Sequence, residues 1–190
     1  MKRLFDIFIS LLGLVILSPV LLTFMYLVYR QDKHSPFYVA PRVGKNGVMF
    51  KMLKLRSMSV NADRNGVDST SADDSRITPI GHKIRRYKLD EFTQLWNVLM
   101  GDMSVIGPRA LVKEEVRHFS DKVPYFSLRH AIKPGITGWA QVNYRHGANV
   151  EDGIEKLQYD LYYIKNLSII LDLHIIVKTI RVMCFGKGAR

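Results

Sequence analysis

The chain has 190 residues, enough for one domain with its own core and too few for two ordinary domains plus a membrane segment. Its 28 Lys and Arg against 17 Asp and Glu give a net charge of +11, which points to a polyanionic partner: nucleic acid, anionic lipid or a phosphorylated substrate. A single cysteine, Cys184, excludes an internal disulfide and a multi-cysteine metal site.

Residues 4–29, LFDIFISLLGLVILSPVLLTFMYLVY, are almost wholly apolar and exceed the roughly 20 residues that a helix needs to cross a bilayer core. The run is too long for a signal peptide and no small-residue cleavage site is followed by a polar start. Ser18-Pro19 falls in its middle, where proline removes a backbone hydrogen bond and bends a helix, and where a serine hydroxyl can rebond the freed carbonyl. Lys2 and Arg3 precede the segment and Arg30 and Lys33 follow it, so the charges give no sign of crossing and suit two ends that face the cytoplasm. The expectation is a re-entrant helix over 1–33, broken at Ser18 and Pro19, that forms one functional unit with a domain over 34–190. A proline-kinked single span is the alternative.

Further along, Gly44 and Gly47 flank Lys45-Asn46 between β-branched and aromatic residues, which predicts a hairpin. Residues 61–76, NADRNGVDSTSADDSR, lack an apolar period and read as an exposed loop, with Asp73-Asp74 as solvated surface. Ile80, Ile84, Leu89, Phe92, Leu95, Trp96 and Leu99 recur at helical spacing and are expected to face a core, with Gly101 ending the helix. SVIGPR predicts a short extended piece, and a further helix is expected from about Leu111 to Phe119. KPGITGWAQVNYR reads as a structured loop or short strand of the kind that lines a site. The C-terminal stretch divides near Asn166-Leu167-Ser168 into an amphipathic half and a mostly apolar half, either buried or lying in a membrane interface; Asp172 and His174 argue against a full span.

The stretch that carries chemistry is RRYKLDEFTQLWNVLMGDMSVIGPR, residues 85–109. Adjacent helical residues point about 100° apart, so Asp90 and Glu91 cannot form a flat clamp but can divide two jobs, one attacking phosphorus while the other holds Mg²⁺ or moves a proton. Lys83, Arg85, Arg86 and Lys88 raise the local potential, Arg109 offers a planar fork to phosphate oxygens, and Lys54 and Arg56 add cations from the hairpin. A plainer reading keeps both acids as first-turn residues of a helix, with Arg86 pairing Asp90 four residues on. His82, His118, His130 and His146 lack metal-ligand spacing. Trp96 reads as core, Trp139 as core ahead of a ring-stacking role, and Arg117, Arg129 and Lys133 as a solvated or lipid-facing basic surface.

Five motifs in order, KRLFDI with a downstream SP, RVGKNGVMFKMLKLRSM, KLDEFTQLWNVLMGDMSVIGPR, PGITGWAQVN and YDLYYIKNLSIILDL, make the chain resemble the monotopic phosphoglycosyl transferases, the bacterial sugar transferase family. The resemblance is to the small form or an isolated catalytic domain. It implies an α/β, mainly helical enzyme with a re-entrant N-terminal helix and interfacial helices around a small sheet, on the cytoplasmic face of the bacterial inner membrane. It implies transfer of a sugar phosphate from a UDP-sugar to undecaprenyl phosphate, with Mg²⁺ as cofactor, starting lipid-linked glycan assembly. Asp90 would be the nucleophile that forms a phosphosugar-aspartate, and Glu91, with Asp90, would bind the metal. Lys54 and Arg109 would stabilise phosphate charge; from the cation pattern itself Arg56, Arg86 and Arg145 are further substrate-binding candidates, with His146, and ordinary surface placement is the plainer reading of Arg145 and His146. Ala110 stands where the family usually has proline, an exchange expected to loosen the turn presenting Arg109, and Tyr144 where many small members have glycine. A basic membrane-anchored binding or scaffold protein is the competing reading. Nucleic acid is not expected, because no groove-reading helix pair or stacking motif is visible. The sequence leaves the sugar, the glycan pathway and homodimer formation open.

Overall fold

The computed structural model describes residues 1–62, 74–144 and 149–185. Helix α1 (Lys2–Asp32) is a single helix with Pro19 inside it. Proline there leaves the Val15 carbonyl without its helical donor, and the Ser18 hydroxyl donates to that carbonyl at 2.8 Å, as the sequence led us to expect. Large apolar side chains along α1 stand exposed, among them Leu4, Phe8, Val15, Ile16 and Leu22. Its two ends, by contrast, are bound into the rest of the protein. Asp6 is buried, and its carboxylate accepts from the Ser104 hydroxyl at 2.9 Å and the Val105 amide at 3.0 Å. Lys2 pairs with buried Asp172 at 2.8 Å, and Arg3 donates to the Val98 and Leu99 carbonyls. At the far end Val28 packs with Leu55, Ile84 and Leu89, and Asp32 pairs with Arg56 at 2.6 Å.

Strands β1 (Phe37–Val43) and β2 (Met49–Leu55) form the expected antiparallel hairpin, with Tyr38 opposite Lys54 and Arg42 opposite Phe50. Its turn uses Asn46 and Gly47 at φ of 56° and 77°, conformations open to glycine and tolerated by asparagine. Helix α2 (Pro79–Arg86) starts with proline at its first position and the Thr78 hydroxyl accepting from the Gly81 amide at 2.9 Å. Lys88, at φ 56°, breaks the helical path before α3 (Leu89–Phe92), and α4 (Gln94–Met100) ends at Gly101, φ 97°.

Strand β3 (Ser104–Ile106) pairs in parallel with β4 (Gly135–Thr137), so among the described residues the expected small sheet is two two-stranded pieces. Between them lie α5 (Lys113–Ser120) and a 3₁₀ turn at Phe126–Ala131. A Cβ on Gly107 would lie 2.4 Å from the Lys133 carbonyl oxygen, so the chain after β3 can approach β4 only with glycine there. Helices α6 (Trp139–Asn143), α7 (Val150–Lys165) and α8 (Ile169–Phe185) complete the fold, which is mostly helical. The main core joins Ala40, Met52, Val98, Met103, Val105, Ile106, Tyr163 and Ile175, drawing on both strand pairs, α4, α7 and α8.

Three expectations about side chains are corrected. Trp96 is 54% exposed, because its face of α4 points away from the protein core. Arg129 is buried and donates twice to buried Asp160, at 3.0 and 2.7 Å, instead of belonging to a basic surface. Asp74 is clamped by Arg76 at 2.7 Å, both side chains nearly covered, and this partner holds its carboxyl down at about 2; Asp73 lies outside the described residues.

Candidate active site

The site is assembled where α3 meets the free edge of β2. In an antiparallel pair every second residue of an edge strand turns its amide and carbonyl outward, and these groups need partners when buried. Two buried polar side chains four residues apart on α4 and its leading turn meet that need. The Thr93 hydroxyl reaches the Leu53 carbonyl at 3.0 Å; Asn97 accepts from the Leu53 amide at 2.8 Å and donates to the Lys51 carbonyl at 2.7 Å. This lateral fastening fixes the α3 turn against the strand segment that carries Lys54. The left-handed Lys88 then reverses the chain so that Asp90 and Glu91 open the next turn, with the Glu91 amide bonded to the Lys88 carbonyl at 3.0 Å.

Asp90, Glu91, Lys54 and Arg109 are brought together. Burial pushes the Asp90 carboxyl above its ordinary value, the Lys54 ammonium opposes this, and Glu91 adds to it. Burial likewise lowers the Lys54 ammonium, which Asp90 and Glu91 counteract and Arg109 and Arg42 reinforce. Arg109 stands 3.9 Å from the Glu91 carboxylate with its side chain 45% exposed, a loose pairing that leaves most of its fork open to a ligand. The turn presenting Arg109 is held firmly despite Ala110: Arg109 bridges Gly135, the Gly135 amide bonds the Pro108 carbonyl at 2.9 Å, and Ala110 packs on the main core.

Other predicted residues are placed elsewhere. Arg56 is engaged by Asp32 at the end of α1. Arg86 is exposed, over the Tyr87 ring at 5.8 Å, and the break at Lys88 removes the helical spacing that would set it beside Asp90. Arg85 bonds Ser57 at 3.2 Å, yet its charge still reaches Asp90. Ser18 and Pro19 lie in the middle of α1, and Arg145 and His146 fall outside the described residues. Trp139 is half-buried on the main core, stacked on Tyr162, with the Lys178 ammonium 4.7 Å from its ring. Tyr144 donates to Asp152 at 2.9 Å and so ties α6 to the first turn of α7.

Sequence reading missed Thr93 and Asn97, whose signal was two polar residues at helical spacing within an apolar period, and Asp6, an acid inside an apolar segment. It also missed Arg42, whose charge bears on Lys54. Among the described residues no group of three or more His, Cys, Asp or Glu could cage a metal. Asp90 and Glu91 would offer two neighbouring carboxylates, a donor set of the kind Mg²⁺ takes when waters and substrate phosphate oxygens complete its shell.

Residues 1–186 match the family model described as bacterial sugar transferase. Over 189 residues the chain is 39% identical to the UDP-N-acetylgalactosamine-undecaprenyl-phosphate N-acetylgalactosaminephosphotransferase of Aeromonas hydrophila, covering 100% of this chain and 45% of that protein. It is 39% identical over 190 residues to the UDP-glucose:undecaprenyl-phosphate glucose-1-phosphate transferase of Klebsiella pneumoniae, covering 99% of this chain and 41% of that one. To the exopolysaccharide production protein ExoY of Sinorhizobium fredii it is 37% identical over 203 residues, covering 99% and 87%. The chain thus spans less than half the length of the first two relatives and most of the third.

Proposed function

The chain belongs to the bacterial sugar transferase family, and we propose that it moves a sugar phosphate from a UDP-sugar to undecaprenyl phosphate through a covalent aspartate intermediate. The observation that carries this reading is the half-buried Asp90 carboxylate set beside Lys54, with Glu91 and Arg109 completing the group. Substrates of this kind are named for the relatives above.

An oxygen of Asp90 attacks the β-phosphorus of the donor, the bond from that phosphorus to the bridging oxygen breaks, and UMP departs. Lys54 and Arg109 hold the oxygens of the phosphoryl group in transit. An oxygen of the lipid phosphate then attacks the adduct, and Asp90 is released unchanged. Glu91 and Asp90 would hold Mg²⁺ with phosphate oxygens and water, and the chemistry it supplies when bound is neutralisation of phosphate charge.

The same reading puts α1 in one leaflet of the inner membrane, with residues 34–190 on the cytoplasmic face and both parts acting as one unit. It is supported by α1 itself: exposed apolar residues line its middle, Pro19 interrupts its hydrogen bonding, and both ends bond to a single catalytic body. A body at both ends of a straight span would have to lie on two sides of the bilayer. The test of the reaction is UMP release from a panel of UDP-sugars by detergent-purified protein with Mg²⁺. We expect a stoichiometric burst without lipid acceptor and continuous release with it; release from no donor by folded protein would overturn the reading.

A further inference from the structure

The hairpin seats Lys54 between two neighbours. On one edge of β2 the Thr93 hydroxyl lies 3.0 Å from both the Leu53 and the Asp90 carbonyl oxygens, which sets Asp90 against the Leu53–Lys54 peptide. The Asp90 carboxylate and the Lys54 ammonium act on each other across this seat. On the other edge of β2 runs β1, with Tyr38 directly opposite Lys54. Paired residues of an antiparallel ladder turn their side chains to the same face, and the next residue along each strand turns to the other. Tyr38, Ala40 and Arg42 therefore share a face with Lys54, Met52 and Phe50. Ala40 and Met52 are buried in the main core, and Phe50 packs against it. Toward the other end of this face the core stops: Lys54 is half-buried and Tyr38 is 37% exposed. Cross-strand Cβ atoms lie about 4.5–5.5 Å apart, within reach of an aromatic ring. A row of three side chains thus crosses the hairpin at this level: Asp90, then Lys54, then Tyr38.

Resting on the donor reading above, we propose that the Tyr38 ring is the stacking platform for the pyrimidine base of the nucleotide donor. Displacement at the β-phosphorus is in line, so the leaving oxygen emerges on the side away from Asp90. Along the row of side chains, that side runs over Lys54 toward Tyr38. The α-phosphate follows the leaving oxygen and the nucleoside follows the α-phosphate, so the charged part of the donor meets the ammonium and its base meets the ring. A nucleobase presents a flat π face, and stacking on an aromatic side chain holds it without any charge. Asp90, Glu91 and Lys54 act through charge; Tyr38 adds the planar surface beside them.

The test is calorimetric titration of UMP and of ribose 5-phosphate, which lacks the base, into the full-length, detergent-purified protein with Mg²⁺. The proteins compared are the parent, Tyr38→Ala, Tyr38→Phe and Tyr38→Trp. We expect Tyr38→Ala to bind UMP about tenfold more weakly, the loss of one base–ring stack, with ribose 5-phosphate affinity as in the parent. Tyr38→Phe keeps the ring and should bind UMP as the parent does. In Tyr38→Trp, UMP should quench the added indole emission and ribose 5-phosphate should not. Parent-like UMP affinity in Tyr38→Ala would overturn the platform. An equal loss in Tyr38→Phe would assign the phenol hydroxyl to a phosphate, and an equal loss for both ligands would place the effect on the phosphate site; either overturns it. Should Tyr38→Ala lack the parent's circular dichroism, the tryptophan variant decides, and absence of quenching by bound UMP overturns the proposal. Failure of the parent to bind UMP at all would overturn the donor reading and the platform with it, a result distinct from the others.

Discussion

In the proposed reaction Asp90 has to be ionised to attack, yet burial favours its protonated form, and the nearby Lys54 charge is what opposes that. Below the raised pKa of Asp90 the nucleophile is lost, and above the lowered pKa of Lys54 the phosphate loses a cation. Turnover should follow a bell whose acid limb lies above the ordinary aspartate value of 3.8 and whose alkaline limb lies below the ordinary lysine value of 10.5. Lys54→Met should lower kcat about tenfold or more and move the acid limb further up, since the cation that holds Asp90 ionised is gone. An acid limb that stays in place would separate Lys54 from Asp90. At this scale the sequence was informative because adjacent acids among many cations are a local pattern, and Asp90, Glu91, Lys54 and Arg109 do converge. Arg56 carried the same signal but is held by Asp32, a partner 24 residues away that no local pattern announces.

The element that aims the site is the α3–α4 turn, fastened to β2 by Thr93 and Asn97. Asn97→Ala would leave the Leu53 amide and the Lys51 carbonyl without partners in a part-buried place, costing about 1–3 kcal/mol of stability. Urea unfolding of the detergent-solubilised protein should show this loss together with reduced turnover, whereas Asn166→Ala, at an exposed helix end, should show neither. Parent-like stability in Asn97→Ala would mean that the lateral fastening does not hold α3. Periodicity located the helices over 80–100 but not the left-handed break at Lys88, which depends on where the chain must turn and not on which residues are apolar. It also misplaced Trp96. An apolar period marks the face that avoids water, and in a chain with a long exposed apolar helix that face need not look toward the protein core.

For the whole molecule, α1 is bonded into the rest of the described fold at both of its ends. Asp6 completes the start of β3, Lys2 neutralises Asp172 beneath the Tyr163 hydroxyl at 2.6 Å, and Arg3 caps the end of α4. Deleting residues 1–32 should therefore yield protein without the cooperative unfolding of the parent, measured by circular dichroism in the same detergent; a cooperative, active truncation would show α1 to be dispensable. Cysteines placed at Lys2 and Lys33, in a chain whose Cys184 is replaced by Ser, should both be labelled from the cytoplasmic side of inverted vesicles, and labelling from opposite sides would contradict the re-entrant reading. The apolar run and its proline were plain in the sequence. The bonds that join α1 to the body, such as Lys2 to Asp172 across 170 positions, were not, because long-range partners are set by tertiary packing and leave no mark of spacing.

Whether Asp90 carries the sugar phosphate is read from the intact mass of the protein after incubation with Mg²⁺ and a UDP-sugar that supports UMP release, without lipid acceptor. The expected result is a mass increase of one sugar phosphate, located on Asp90, chased away by undecaprenyl phosphate and absent from Asp90→Asn, whose turnover falls about 10³-fold or more. Full turnover by Asp90→Asn, or lipid product formed with no adduct at any time, would contradict it.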